Sequence, residues 1–206
     1  MLFTEKAWEI FNHSIKDYHV NDDVDALENN PFEKDSLEWL LYSKNWIDTV
    51  QWHLEDIIRE EGISPEKALV IKRRIDRSNQ KRTDLVEHID DYFYEKYHDV
   101  TSNKEARLNT ESPAWAIDRL SILALKIYHM ELEAHRDSAD LEHRKRCSQK
   151  LAVLNEQHQD LSTAIEQLLS DIKDGTVKIK TYKQMKMYND ETLNPILYQK
   201  KNKNEK

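Results

Sequence analysis

The chain has 206 residues, enough for one sizeable core, and its net charge of −8 disfavours nucleic acid as a partner. Two Gly and four Pro are too few for the turns of a strand-rich fold, so the composition points to long helices. The single Cys147 excludes an internal disulfide and a Cys-rich zinc site, and no run of about 18 apolar residues exists to cross a membrane.

The first stretch, "MLFTEKAWEIFNHSIKDYHV", carries charges too early for a signal peptide, which sets the expected location in the cytoplasm. It reads as a short amphipathic helix over residues 4–20. After Pro31, a second helix is predicted over 35–60, stopped by Gly62. Beside its apolar arc run Lys44, Asp48, Trp52, Glu55 and Arg59. Lys44–Asp48 and Glu55–Arg59 are also i,i+4 pairs, each worth only about 0.2–0.5 kcal/mol on an isolated helix.

Ser64-Pro65 is an N-cap followed by a first-turn proline, and a third helix is predicted over 65–98. At about 100° per residue, Ile71, Ile75, Leu85, Val86, Ile89 and Phe93 share a face that Ser78, Asn79 and Arg82 interrupt. Arg82 lies near the centre of that stripe, where an unpaired charge is too costly to bury, so it must find a carboxylate or reach out to water.

The polar linker "TSNKEARLNTE" leads to Ser112-Pro113, the same start signal again. Residues 114–174 contain neither Gly nor Pro, and the polar "HRDSADLEHR" divides them into helices over 113–136 and 138–174, capped by Asp137 or Ser138. One unbroken helix is the alternative. The first stripe runs through Ile117, Leu120, Ala124 and Ile127 and then meets Glu131 and His135. Asp118 and His129 sit at its border. On the last helix Leu151, Leu154, Leu161, Ile165, Leu168 and Ile172 form the buried face, with His158 between Leu154 and Leu161. Gly175 ends it.

These elements predict an all-α fold: an antiparallel bundle of about four long helices, a short N-terminal helix and an irregular C-terminal segment. Residues 1–198 are expected to be one domain and 199–206, "QKKNKNEK", a disordered basic tail. In "GTVKIKTYKQMKMYNDETLNPILY", lysines alternate with Tyr and Met, as in a phosphate or base grip. The simpler reading pins the apolar residues along the bundle and leaves the lysines in water.

In an antiparallel bundle mid-helix residues meet at one height. A polar layer is therefore expected around Arg82, drawing on Asp48, Glu55, Arg59, Asn79, Glu131, His135 and His158. Glu131 would be offset along the axis by about 9 Å. Such a layer either fixes register or lines a ligand pocket. No metal is expected. Glu95 with His98 gives only one pair of the Glu-x-x-His type that a di-metal bundle requires twice, and Asp140 with His143 is a looser echo. The pair Glu87 and Asp90 lacks the partner pair of helical nucleotide pyrophosphatases. Arg74 and Arg82 match helical chorismate mutases only superficially.

In combination, "NPFEKDSLEWLLYSKNWIDTVQWHLEDIIR", "AIDRLSILALKIYHM" and "YKQMKMYNDETLNPILY" resemble the bacterial family known as domain of unknown function 4254, over about residues 5–198. The resemblance implies a bacterial, helical, cytoplasmic protein and carries no catalytic residue or cofactor. It also brings an association with cell-envelope glycan genes. The expected function is a binding or interaction module, with a protein partner, a second copy or a small molecule as its ligand. An enzyme or a nucleotide or sugar-nucleotide binder using the Arg82 cluster is the alternative.

Overall fold

The structure is a computed structural model that describes residues 1–183, 185 and 193. Five helices dominate: α1 (Phe3–Tyr18), α2 (Leu37–Ile58), α3 (Pro65–Lys96), α4 (Pro113–His135) and α5 (Leu141–Lys173). They pack side by side as an all-α bundle, with α2–α3 and α4–α5 as hairpins and α1 laid across α2, α4 and α5.

The caps explain the boundaries. Ser36, Ser64 and Ser112 each accept the backbone N–H of the third residue onward, and Pro65 and Pro113 occupy first-turn positions where no N–H is needed. Two separate helices follow Ser112, as the polar break predicts. Their junction lies slightly further on, because the Asp140 carboxylate, rather than Asp137 or Ser138, accepts the His143 N–H at 2.7 Å. Residues 136–139 are thereby left as a turn.

The core gathers Ala7, Phe11 and Ile15 of α1, Leu41 and Tyr42 of α2, Val86, Ile89 and Phe93 of α3, Ile117, Leu120 and Leu125 of α4, and Ile165 of α5. Buried Asp90 of α3 caps α4 from outside, accepting Ser112 Oγ at 2.7 Å and the Ala114 N–H at 3.1 Å. Burial pushes the Asp90 carboxyl up, while those two donors hold it back.

The linker before α4 contains β1 (Arg107–Leu108), paired in parallel with β2 (Val177–Lys178) just after α5. Two-residue strands have no periodicity to read, so the sequence gives no hint of them. Gly175 makes the approach possible: its φ is +70°, and an added Cβ would lie 2.8 Å from the Thr101 carbonyl. Buried Val177 then packs against Leu168 and Ile172. The expected basic tail, and most of the segment expected to be pinned after Ile179, lie outside the described residues.

Candidate functional site

Lys44 and Asp48 stand one turn apart on α2, Arg82 projects from α3, and Asp118 and Ser121 face them from α4. The Lys44 ammonium donates to Asp48 and meets Asp118 Oδ1 at 2.7 Å. The Arg82 guanidinium donates through Nε to Asp48 Oδ1 at 3.0 Å. Through Nη2 it reaches both Asp118 oxygens, at 2.8 and 2.6 Å. Ser121 Oγ donates to Asp48 Oδ2 at 2.7 Å and accepts from Asn45 Nδ2 at 2.9 Å.

Two cations therefore face two anions, and the layer is neutral as a whole. Lys44, Asp48 and Asp118 are buried, so each ion's desolvation must be offset by its partners and not by water. Burial pushes the Asp48 carboxyl up, against the opposing pull of Lys44 and Arg82.

Arg82 differs from the other three. Its side chain keeps 22% of its surface exposed, and among the described residues Nη1 has no hydrogen-bond partner. It opens onto a cleft of about 350 Å³ between α2, α3 and α4. Trp52, Ile122 and Leu125 supply apolar walls, Gln51 is a polar contact, and Glu55 and Arg59 stand at the rim.

The expected cluster thus assembles only in part. Asp48 and Arg82 meet. Glu55 and Arg59 pair with each other near the surface, Nη2 to Oε2 at 3.1 Å, and reach the cleft but not the layer. Asn79 accepts Gln51 Nε2 at 2.8 Å, at the edge of the group. Glu131 and His135 are exposed near the end of α4, where the His135 ring turns back to the Glu131 carbonyl at 2.8 Å. They share the angular position of Ile117 and Leu120 but not their depth. His158 is stacked on Trp8, with ring centroids 3.6 Å apart, in a depression shared by α1 and α5. The layer residues that the sequence reading left aside are Lys44, Asp118, Ser121 and Asn45. Lys44 and Asp118 were visible as flanking positions, and only packing reveals their burial.

A second polar group lies at another face of α2. His19 just after α1, His53 of α2 and His129 of α4 place one ring nitrogen each within 4.8 Å of the others. In all three, Nε2 is buried and without a hydrogen-bond partner. Tyr18 stacks on His53 and Trp52 on His129, the latter with an interplanar angle of 8°. His19 Nδ1 lies 2.7 Å from the Ile15 carbonyl, which places its proton there and leaves Nε2 as a lone pair. Burial holds His53 below the ordinary histidine value; burial first, then His19 and His53, push His129 down to about 4.

Fold and site together define an all-helical bundle protein whose middle is held by a neutral four-ion layer. No helix among the described residues is long and apolar enough to cross a membrane. Residues 38–181 match the family described as a protein of unknown function, DUF4254, and the chain belongs to that family. Comparison with curated proteins and with solved structures gives no match in either case.

Proposed function

We propose that the protein is a binding module that holds a small, uncharged, polyhydroxylated molecule in the cleft above Arg82. The observation that carries this reading is the division of labour within one guanidinium. Nε and Nη2 are committed to Asp48 and Asp118, and the side chain, still 22% exposed, lines the cleft with Nη1 left without a hydrogen-bond partner among the described residues. A donor fixed from behind in this way is preorganised and loses little freedom on binding. The indole of Trp52 offers a flat apolar wall, and Gln51 and Glu55 offer polar groups at its edge, a combination suited to a sugar-like ring.

Charge decides against a phosphate-rich ligand. Glu55 and Asp56 stand on the cleft with Arg59, which is already paired to both of them, and the layer below is neutral. A nucleotide's phosphates would meet more negative than positive charge. A sugar nucleotide would enter by its sugar.

A thermal-shift screen of the full chain against neutral sugars, sugar nucleotides and free nucleotides tests the proposal. The expected hits are sugars and sugar nucleotides, with free nucleotides inactive. Ile122→Trp, which fills the cleft and leaves the four ions of the layer in place, is expected to abolish the shift and leave the melting temperature nearly unchanged. Silence across the panel, or shifts that survive Ile122→Trp, would overturn the reading and favour a protein partner.

A further inference from the structure

We propose that His19, His53 and His129, with Asp22 as the fourth ligand, bind one divalent transition-metal ion of the zinc class. Three ring nitrogens converge in a buried space without a hydrogen-bond partner among the described residues, and unsatisfied buried polar atoms are rare in folded proteins. A cation that takes one lone pair from each ring removes that penalty.

The distances suit a metal. Imidazole nitrogens around a tetrahedral zinc, with bonds of about 2.1 Å, lie about 3.4 Å apart. The nitrogens here lie within 4.8 Å of one another, so each pair needs at most about 1.4 Å of closure to reach that spacing. Asp22 Oδ1 already lies 3.9 Å from His19 Nε2 and 3.7 Å from His53 Nε2, on the open side of the group. The left-handed backbone at Asp22, φ 52°, with its N–H bonded to the Tyr18 carbonyl at 3.0 Å, turns the chain back over the end of α1.

The surroundings have the features of a ligand shell. The contact between His19 Nδ1 and the Ile15 carbonyl fixes ring orientation and tautomer, as the outer partners of metal-bound histidines do. Stacking of Tyr18 on His53 and of Trp52 on His129 fixes two more rings. Three imidazoles and one carboxylate select zinc, cobalt or nickel; magnesium and calcium call for oxygen ligands. Bound there, the ion ties the end of α1 to α2 and α4. The Asp22 side chain is 60% exposed, so it is the ligand that water replaces.

Untagged full-length protein, stripped with a chelator and titrated with Co²⁺, tests the assignment. The expected result is one Co²⁺ per chain with the visible bands of a four-coordinate ion, displaced by Zn²⁺, and a raised melting temperature with either metal. His53→Gln is expected to weaken binding by about 100-fold or more. Asp22→Asn, on the surface and compatible with the fold, is expected to bind less tightly and alter the cobalt spectrum. Circular dichroism of the metal-free proteins separates lost binding from lost folding. If His53→Gln does not fold, the wild-type titration and Asp22→Asn decide. A folded wild type without a saturable cobalt spectrum, an unmoved melting temperature, or a folded His53→Gln that binds like wild type would overturn the site.

Discussion

Two polar groups interrupt the interior of this bundle, and they are satisfied in opposite ways. Around Lys44 and Arg82, each ion has at least two partners within the protein, and the charges cancel. Around His19, His53 and His129, three buried nitrogens converge with no hydrogen-bond partner among the described residues. A layer whose four charges are all paired holds helices in register without help, even with Asn45 Oδ1 beside it unpartnered among the described residues. An incomplete group calls for something from outside, because a buried polar atom with no hydrogen-bond partner costs about 1–3 kcal/mol.

The sharpest way to break the contrast is to remove one ion from the complete layer. Lys44→Met leaves Asp48 and Asp118 with Arg82 alone, and urea unfolding is expected to show a loss of about 3–5 kcal/mol. A smaller effect is expected for Arg82→Met, which lies nearer the surface. It should be largely rescued by adding Asp118→Asn, with a coupling of about 0.5–3 kcal/mol in a double-mutant cycle. Additive effects would show that the pair is not coupled.

For the incomplete group the opposite sign is expected. In metal-free protein, His129→Phe removes an unsatisfied nitrogen and keeps a ring against Trp52, so stability should stay level or rise by up to about 1 kcal/mol. The same variant should lose any stabilisation by zinc. The smallest effect concerns His158, which stands apart from both groups on Trp8. Burial lowers its folded-state pKa below the ordinary value of 6.5. The unfolded chain therefore binds more protons below pH 6.5, and stability falls as pH drops through that value. In His158→Gln this share of the acid sensitivity should be missing, seen as a shallower fall of melting temperature between neutral pH and pH 5.

Helix number, starts and stops are legible in the sequence because Ser-Pro pairs and two glycines punctuate it locally. Arg82 is legible for a related reason: a charge at the centre of an apolar stripe contradicts the stripe. What a helical projection cannot give is height. Glu131 and His135 project onto the same stripe as Ile117 and Leu120, yet they extend past the neighbours that would cover them. The reverse holds for Lys44 and Asp118, whose flanking angles look solvated until α2, α3 and α4 close over them. His19, His53 and His129 come from three separate elements with no shared spacing, so only folding brings them together.

The ion layer also sets how the protein meets salt. Mobile counter-ions weaken pairs that water reaches, such as Lys72 with Asp76 or Arg146 with Glu142. They scarcely reach Lys44 and Asp48, whose side chains are 0% and 4% exposed. Concentrated electrolyte therefore loosens the perimeter of the bundle and leaves the attraction at its centre nearly intact.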